Sequence, residues 1–176
     1  MAEILDLFER KRHLTAKKGF ESWSRRFRIP FDDNTSIRQL DNSLVKYLIR
    51  GEDDSTLALY DLIMAIRGLG PGHRFHSLES ESKMSVTDVT LFLLDLLRFE
   101  AMYRLGWLDD YPFLSTPLLD LVQEFADRFA AARHQCPSLT PSHPKYSQYL
   151  AAFEGDRNSF IRRLIPDAIQ KFYAEG

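Results

Sequence analysis

Apolar positions recur along this chain mainly with a period near 3.6, and no run reads as a strand. The strongest signal lies between Val86 and Leu105, where thirteen of twenty residues are apolar. Ser85 stands before it as a candidate cap, Asp88 sits where a capping-box carboxylate belongs, and Gly106 suits a left-handed helix end. Only two narrow polar stripes cross the helical wheel, Asp88/Asp95/Arg98 and Glu100/Arg104, so the pattern predicts a central helix contacted from nearly every side. Its length would also suit a membrane span. Asp95 and Arg98 near the middle would each cost about 2.5–3.5 kcal/mol on insertion, so burial in protein is expected instead.

Punctuation divides the rest into shorter helical segments. A first helix is expected over about residues 2–18, stopping at Gly19, with a second basic piece carrying Phe20, Trp23 and Phe27 up to Pro30. Caps among residues 32–36 precede a helix with Ile37, Leu40, Leu44 and Leu48 on one face, ending at Gly51. The next, about 56–67, is capped by Asp53-Asp54-Ser55 and has little polar surface. A glycine-rich break from Gly68 leads to the central helix. Beyond Gly106, Thr116 caps a helix starting at Pro117 with the seam Leu118, Val122, Phe125 and Phe129. An extended, proline-stiffened linker over 136–144 and a short helix, about 144–153, follow. The last helix, capped by Asp156, buries Ile161, Leu164, Ile165, Ala168, Ile169 and Phe172, with Pro166, Arg162 and Arg163 on its outer side. The fold class is therefore all-α, a single-domain bundle of six to seven helices around a buried helix at about 86–105.

At 176 residues the chain is long enough for one domain with its own core. One cysteine, Cys136, excludes an intrachain disulfide and fits a reducing compartment. The first residues lack the pattern of a secretory signal, so a cytoplasmic location is expected. The net charge of −2 hides an asymmetry: residues 1–28 hold eight bases and four acids, a surplus of +4, against −6 for the remainder. The basic segment is therefore either docked on the acidic body or free to meet an acidic partner. A sequence pI near 6.2 argues against nucleic acid.

Candidate chemistry is sparse. His73, Arg74 and His76 follow three glycines, an arrangement that would suit a small anion or a metal, but neither the dinucleotide nor the P-loop pattern is present. Asp95 and Arg98 are three residues apart and form a candidate ion pair, with Arg67 or Asp61 as further partners; the plainer reading is structural. No Glu-x-x-His, His-Glu-x-x-His, Gly-x-Ser-x-Gly or Cys-x-x-Cys motif occurs. Cys136 lies near His134 and His143 in sequence, yet a passive thiol is the expectation. No cofactor is implied. Two readings of function result. The preferred one is a cytosolic protein-interaction module, an adaptor, regulator or assembly factor, meeting an acidic protein through Arg25, Arg26, Arg28 and Trp23. Its rival is a small-molecule or metal-binding protein with a pocket at Gly68–Ser77 and Asp95/Arg98 as polar floor.

Overall fold

The computed structural model describes the backbone of residues 2–175 and the side chains of residues 7–175. Its α-helices are α1 (Ala2–Phe27), α2 (Asn42–Leu48), α3 (Asp53–Ile66), α4 (Ser80–Arg104), α5 (Leu118–Gln123), α6 (Tyr146–Ala151) and α7 (Arg157–Ala174). Short 3-10 turns join them, and no strand occurs among the described residues, so the fold is all-α.

α1 is one continuous helix, and the stop expected at Gly19 does not occur. The reason lies across the interface. A Cβ on Gly19 would sit 3.3 Å from Ala65 Cβ, Leu62 Cδ1 and the Leu62 carbonyl, so the missing side chain lets α1 lie against α3. The pairs Trp23 with Ala58, Gly19 with Leu62 and Thr15 with Ile66 show the two helices running antiparallel. Arg28 then turns the chain in the left-handed region at φ 57°, where glycine is the usual occupant.

The helix expected from 37 to 48 has the anticipated buried face, including Ile37, Leu40, Leu44 and Leu48, but it is broken. A 3-10 turn covers Ile37–Gln39, and α2 starts afresh where Asp41 accepts the Leu44 N–H at 2.8 Å. A side-chain cap competes locally with helix continuation. α3 begins earlier than expected, at Asp53. There the Ser55 hydroxyl accepts the Glu52 N–H at 3.1 Å.

α4 is the central element and packs against α2, α3 and α7. It begins at Ser80, so Ser85 lies inside it and Asp88 closes no capping box. The polar stretch 80–85 carries no apolar period by which to see the extra turn. Ser85 instead accepts a hydrogen bond from Arg67, and Asp88 faces Arg133 at 3.8 Å. At the other end the expectation holds: Gly106 has φ 80°, its N–H reaches the Tyr103 carbonyl, and the Trp107 N–H reaches that of Met102. These two bonds satisfy the last free carbonyls of the helix. Phe92, near the middle of α4, meets Phe113, Phe125 and Phe129.

Pro117 stands just outside α5, which starts at Leu118 and widens into a π turn over Phe125–Phe129. The expected seam of Leu118, Val122, Phe125 and Phe129 is buried. The linker after Cys136 runs extended beside Trp107–Asp109, with Asp109 N–H on the Ser138 carbonyl and Thr140 N–H on that of Trp107. α7 buries Ile161, Leu164, Ala168 and Phe172, leaves Pro166 exposed, and continues through it. Arg162 differs from expectation. It reaches back into the molecule to Asp95.

Candidate functional site

Two polar clusters organise the interior. Glu100, 0% exposed, receives Arg38 Nε on one carboxylate oxygen and Arg104 Nε on the other, both at 2.9 Å. Arg38 also reaches Asp110 at 2.8 Å, while Arg104 donates to Asn42 and to the Leu40 carbonyl. Burial works against the Arg38 charge, but the hydrogen bonds to Glu100 and Asp110 outweigh it and hold its pKa above the ordinary value. With both carboxylate oxygens occupied by protein donors, this cluster is a clamp between α4 and the 37–42 turn.

The second cluster holds Asp95, which faces Arg98 at 3.6 Å and Arg162 at 3.1 Å. The expected pair exists, but its third member comes from α7 rather than being Arg67 or Asp61. Asp61 is engaged elsewhere. It receives Arg26 at 2.6 Å and the Gly72 N–H at 2.7 Å, and so joins α1, α3 and the loop that follows.

These placements separate the residues of the expected loop pocket. The segment Gly72–Ser77 forms a 3-10 turn on α3, with Phe75 stacked on Tyr60 at 4.3 Å and with His73, Arg74 and His76 exposed. A shallow cavity of about 390 Å³ there is lined by Asp53, Tyr60, His73 and His76 among others, without Asp95 or Arg98. No group of three metal-ligating side chains converges among the described residues. Cys136 lies within electrostatic reach of Arg162 and Asp95, and burial pushes its thiol up to about 11. His134 contacts Arg133, and His143 meets Trp107, so neither histidine makes its contacts at the thiol.

The basic segment divides into two parts with different fates. Trp23 is 1% exposed, donates its indole N–H to the Ala58 carbonyl at 2.8 Å, and meets Phe27 and Phe31 edge-on. It is a core residue, which corrects its assignment to a partner surface. Arg26 is likewise committed to Asp61, whereas Arg25 and Arg28 face solvent. This half of α1 is the docked half.

Residues 2–14 run past the C-terminal end of α3, because Thr15 already stands opposite Ile66, its last residue. The side chains of residues 1–6 lie outside those described. On this arm Leu7, Phe8 and Leu14 are 64%, 63% and 61% exposed. Where the arm leaves the body it forms one wall of an open notch of about 480 Å³. Phe8, Lys11, Arg12 and Thr15 line that wall, and Arg67, Leu69, Ser82, Ser85 and Gln123 line the other. Arg67 donates to Ser85 Oγ and to the Val122 carbonyl, both neutral, and burial lowers its pKa from the ordinary value.

Sequence reasoning missed the arm and the notch. A signal for the arm was present: stepping back from Ala16 by three and four residues reaches His13 and Arg12, so the packing seam ends there while Leu7, Phe8 and Leu14 continue off it. The notch had none, since Arg67 and Ser85 meet Lys11 only in three dimensions. Comparison with protein-family models, with curated proteins and with solved structures returns no match to this chain.

Proposed function

We propose that this protein is a helical interaction module that binds a protein partner along the α1 arm. The observation that carries the reading is the exposure of Leu7, Phe8 and Leu14 on a helix segment projecting past the body. Three large apolar side chains on one protruding element are costly to leave in water, and such clusters mark contact surfaces. The accompanying bases Lys11 and Arg12 favour an acidic partner; they take the place of Arg26 in the interface, and Leu7, Phe8 and Leu14 take that of Trp23. A cytoplasmic setting, with a role as adaptor, regulator or assembly factor, belongs to the same proposal.

The test places a photo-crosslinking residue at position 8 or 14, identifies the captured protein, and measures its binding with purified components. The combined variant Leu7→Ser/Leu14→Ser should weaken binding at least tenfold and leave thermal unfolding unchanged, since both side chains are exposed and neither lines the notch. Raised salt should weaken the wild-type complex as exposed charges are screened. Undiminished binding by a folded arm variant would sink the reading.

A further inference from the structure

The notch at the base of the arm differs in charge from every other polar cluster described above. Arg38, Arg98, Arg104, Arg133 and Arg162 are partly buried, and each faces a carboxylate within 4.0 Å. Arg67 is partly buried too, yet it donates only to a hydroxyl and a backbone carbonyl. Lys11 and Arg12 line the same notch, and among the described residues no aspartate or glutamate does. Three cations therefore border a space to which no described side chain brings a negative charge.

We propose that this notch receives a phosphate monoester carried on a serine or threonine of the partner segment that binds the arm. The inference rests on the docking reading above. A single Asp or Glu carboxylate carries one charge on two oxygens, fewer than this wall of donors can take up. A phosphorylated side chain brings a charge of about −1.5 to −2 and three strong acceptor oxygens. Arg67 supplies a planar fork for two of those oxygens, and two of its five N–H donors are accounted for within the protein. Lys11 and Arg12 add mobile charge from the arm. Ser85 accepts from Arg67 at its oxygen, which leaves its own proton to donate, and Ser82 and Gln123 stand beside it. Phe8 and Leu69 give the notch apolar walls, which suit the side chains flanking a phosphoresidue better than the polar body of a small phosphorylated metabolite.

The experiment measures fluorescence anisotropy of the full chain with a degenerate peptide library fixed at a central phosphoserine, beside the same library with serine or glutamate there. Inorganic phosphate and glycerol phosphate serve as competitors. The phosphorylated library should bind at least tenfold more tightly than the other two. That advantage should fall in Arg67→Gln and in Lys11→Gln/Arg12→Gln, and persist in Arg25→Gln/Arg28→Gln. Arg67 has structural contacts, so the Lys11/Arg12 variant, altered only on the exposed arm, keeps the result interpretable if Arg67→Gln misfolds. Equal affinity for the three libraries, or an advantage indifferent to Lys11 and Arg12, would overturn the proposal. Glycerol phosphate competing at the affinity of the peptide would overturn the peptide carrier. Failure here with the Leu7→Ser/Leu14→Ser effect intact removes the phosphate and leaves the docking arm standing, whereas the converse removes the arm and with it the carrier segment proposed here.

Discussion

Glu100 illustrates how much a single buried residue decides. Its carboxylate is fully enclosed and bonds two arginines, so removing the charge takes the only described carboxylate from Arg104 and leaves Arg38 with the exposed Asp110 alone. Glu100→Gln should therefore cost about 3–5 kcal/mol in chemical denaturation, the range for breaking a buried ion pair. A loss below about 1 kcal/mol would show that the clamp is cosmetic. Gly72 sets a different constraint: a Cβ there would lie 2.5 Å from Asp61 Oδ1 and 2.7 Å from the Asp61 backbone nitrogen. The turn carrying His73, Arg74 and His76 is thus held by a residue that contributes no side chain. Arg28 shows strain of another kind, a non-glycine residue at φ 57°. Arg28→Gly should raise stability by about 1 kcal/mol, the approximate cost of that conformation, and an unchanged or lowered melting temperature would contradict it. Cys136, with its thiol pushed up to about 11, is a poor nucleophile at neutral pH. Its alkylation by iodoacetamide at pH 7 should be on the order of 100-fold slower than that of an ordinary thiol and should rise with pH. Ready modification at pH 7 would show that the site opens.

At the scale of elements, the contact between α1 and α3 depends on the small size of Gly19. Gly19→Leu must separate the helices or distort them, and should cost about 1–3 kcal/mol in equilibrium unfolding, despite a better helix propensity. A stabilised Leu variant would mean that the two helices do not approach as described. α7 makes the opposite case. Pro166 lies on its exposed side and removes one backbone donor from a helix that continues past it. Pro166→Ala should stabilise by up to about 3 kcal/mol, because the buried seam at Ile161, Leu164, Ala168 and Phe172 is untouched. A destabilised alanine variant would show that the proline serves the packing. Sequence reading at this scale fails for separate reasons. The glycine at 19 reads as a stop, although its small size serves the packing on α3, and Ser85 reads as a start because the polar stretch before it shows no apolar period. The Gly106 end was legible because both of its bonds close within the same turn.

For the whole molecule, the all-α class, the central position of α4 and the apolar seams of α5 and α7 could be read from periodicity, since burial of a helix face imposes that period on the sequence. The charge asymmetry of residues 1–28 was equally plain, but composition alone could not say which of those bases were engaged. That depended on where α3 ends. Up to Ile66, α1 has a partner helix that covers Trp23 and ties Arg26 to Asp61; before Thr15 no helix covers the described side chains, and His13 reaches Asp33 of the following loop at 3.4 Å. The candidate site was therefore only half legible: its location in the N-terminal segment was visible, its residues were not. Local sequence determined which stretches are helical and which face of each is apolar, because those properties arise from neighbours three and four positions away. Only the tertiary structure decided that Asp95 meets Arg162, that Glu100 holds two arginines, and that Arg67 stands without a carboxylate beside Lys11 and Arg12, because charges far apart in the chain acquire partners only when helices pack.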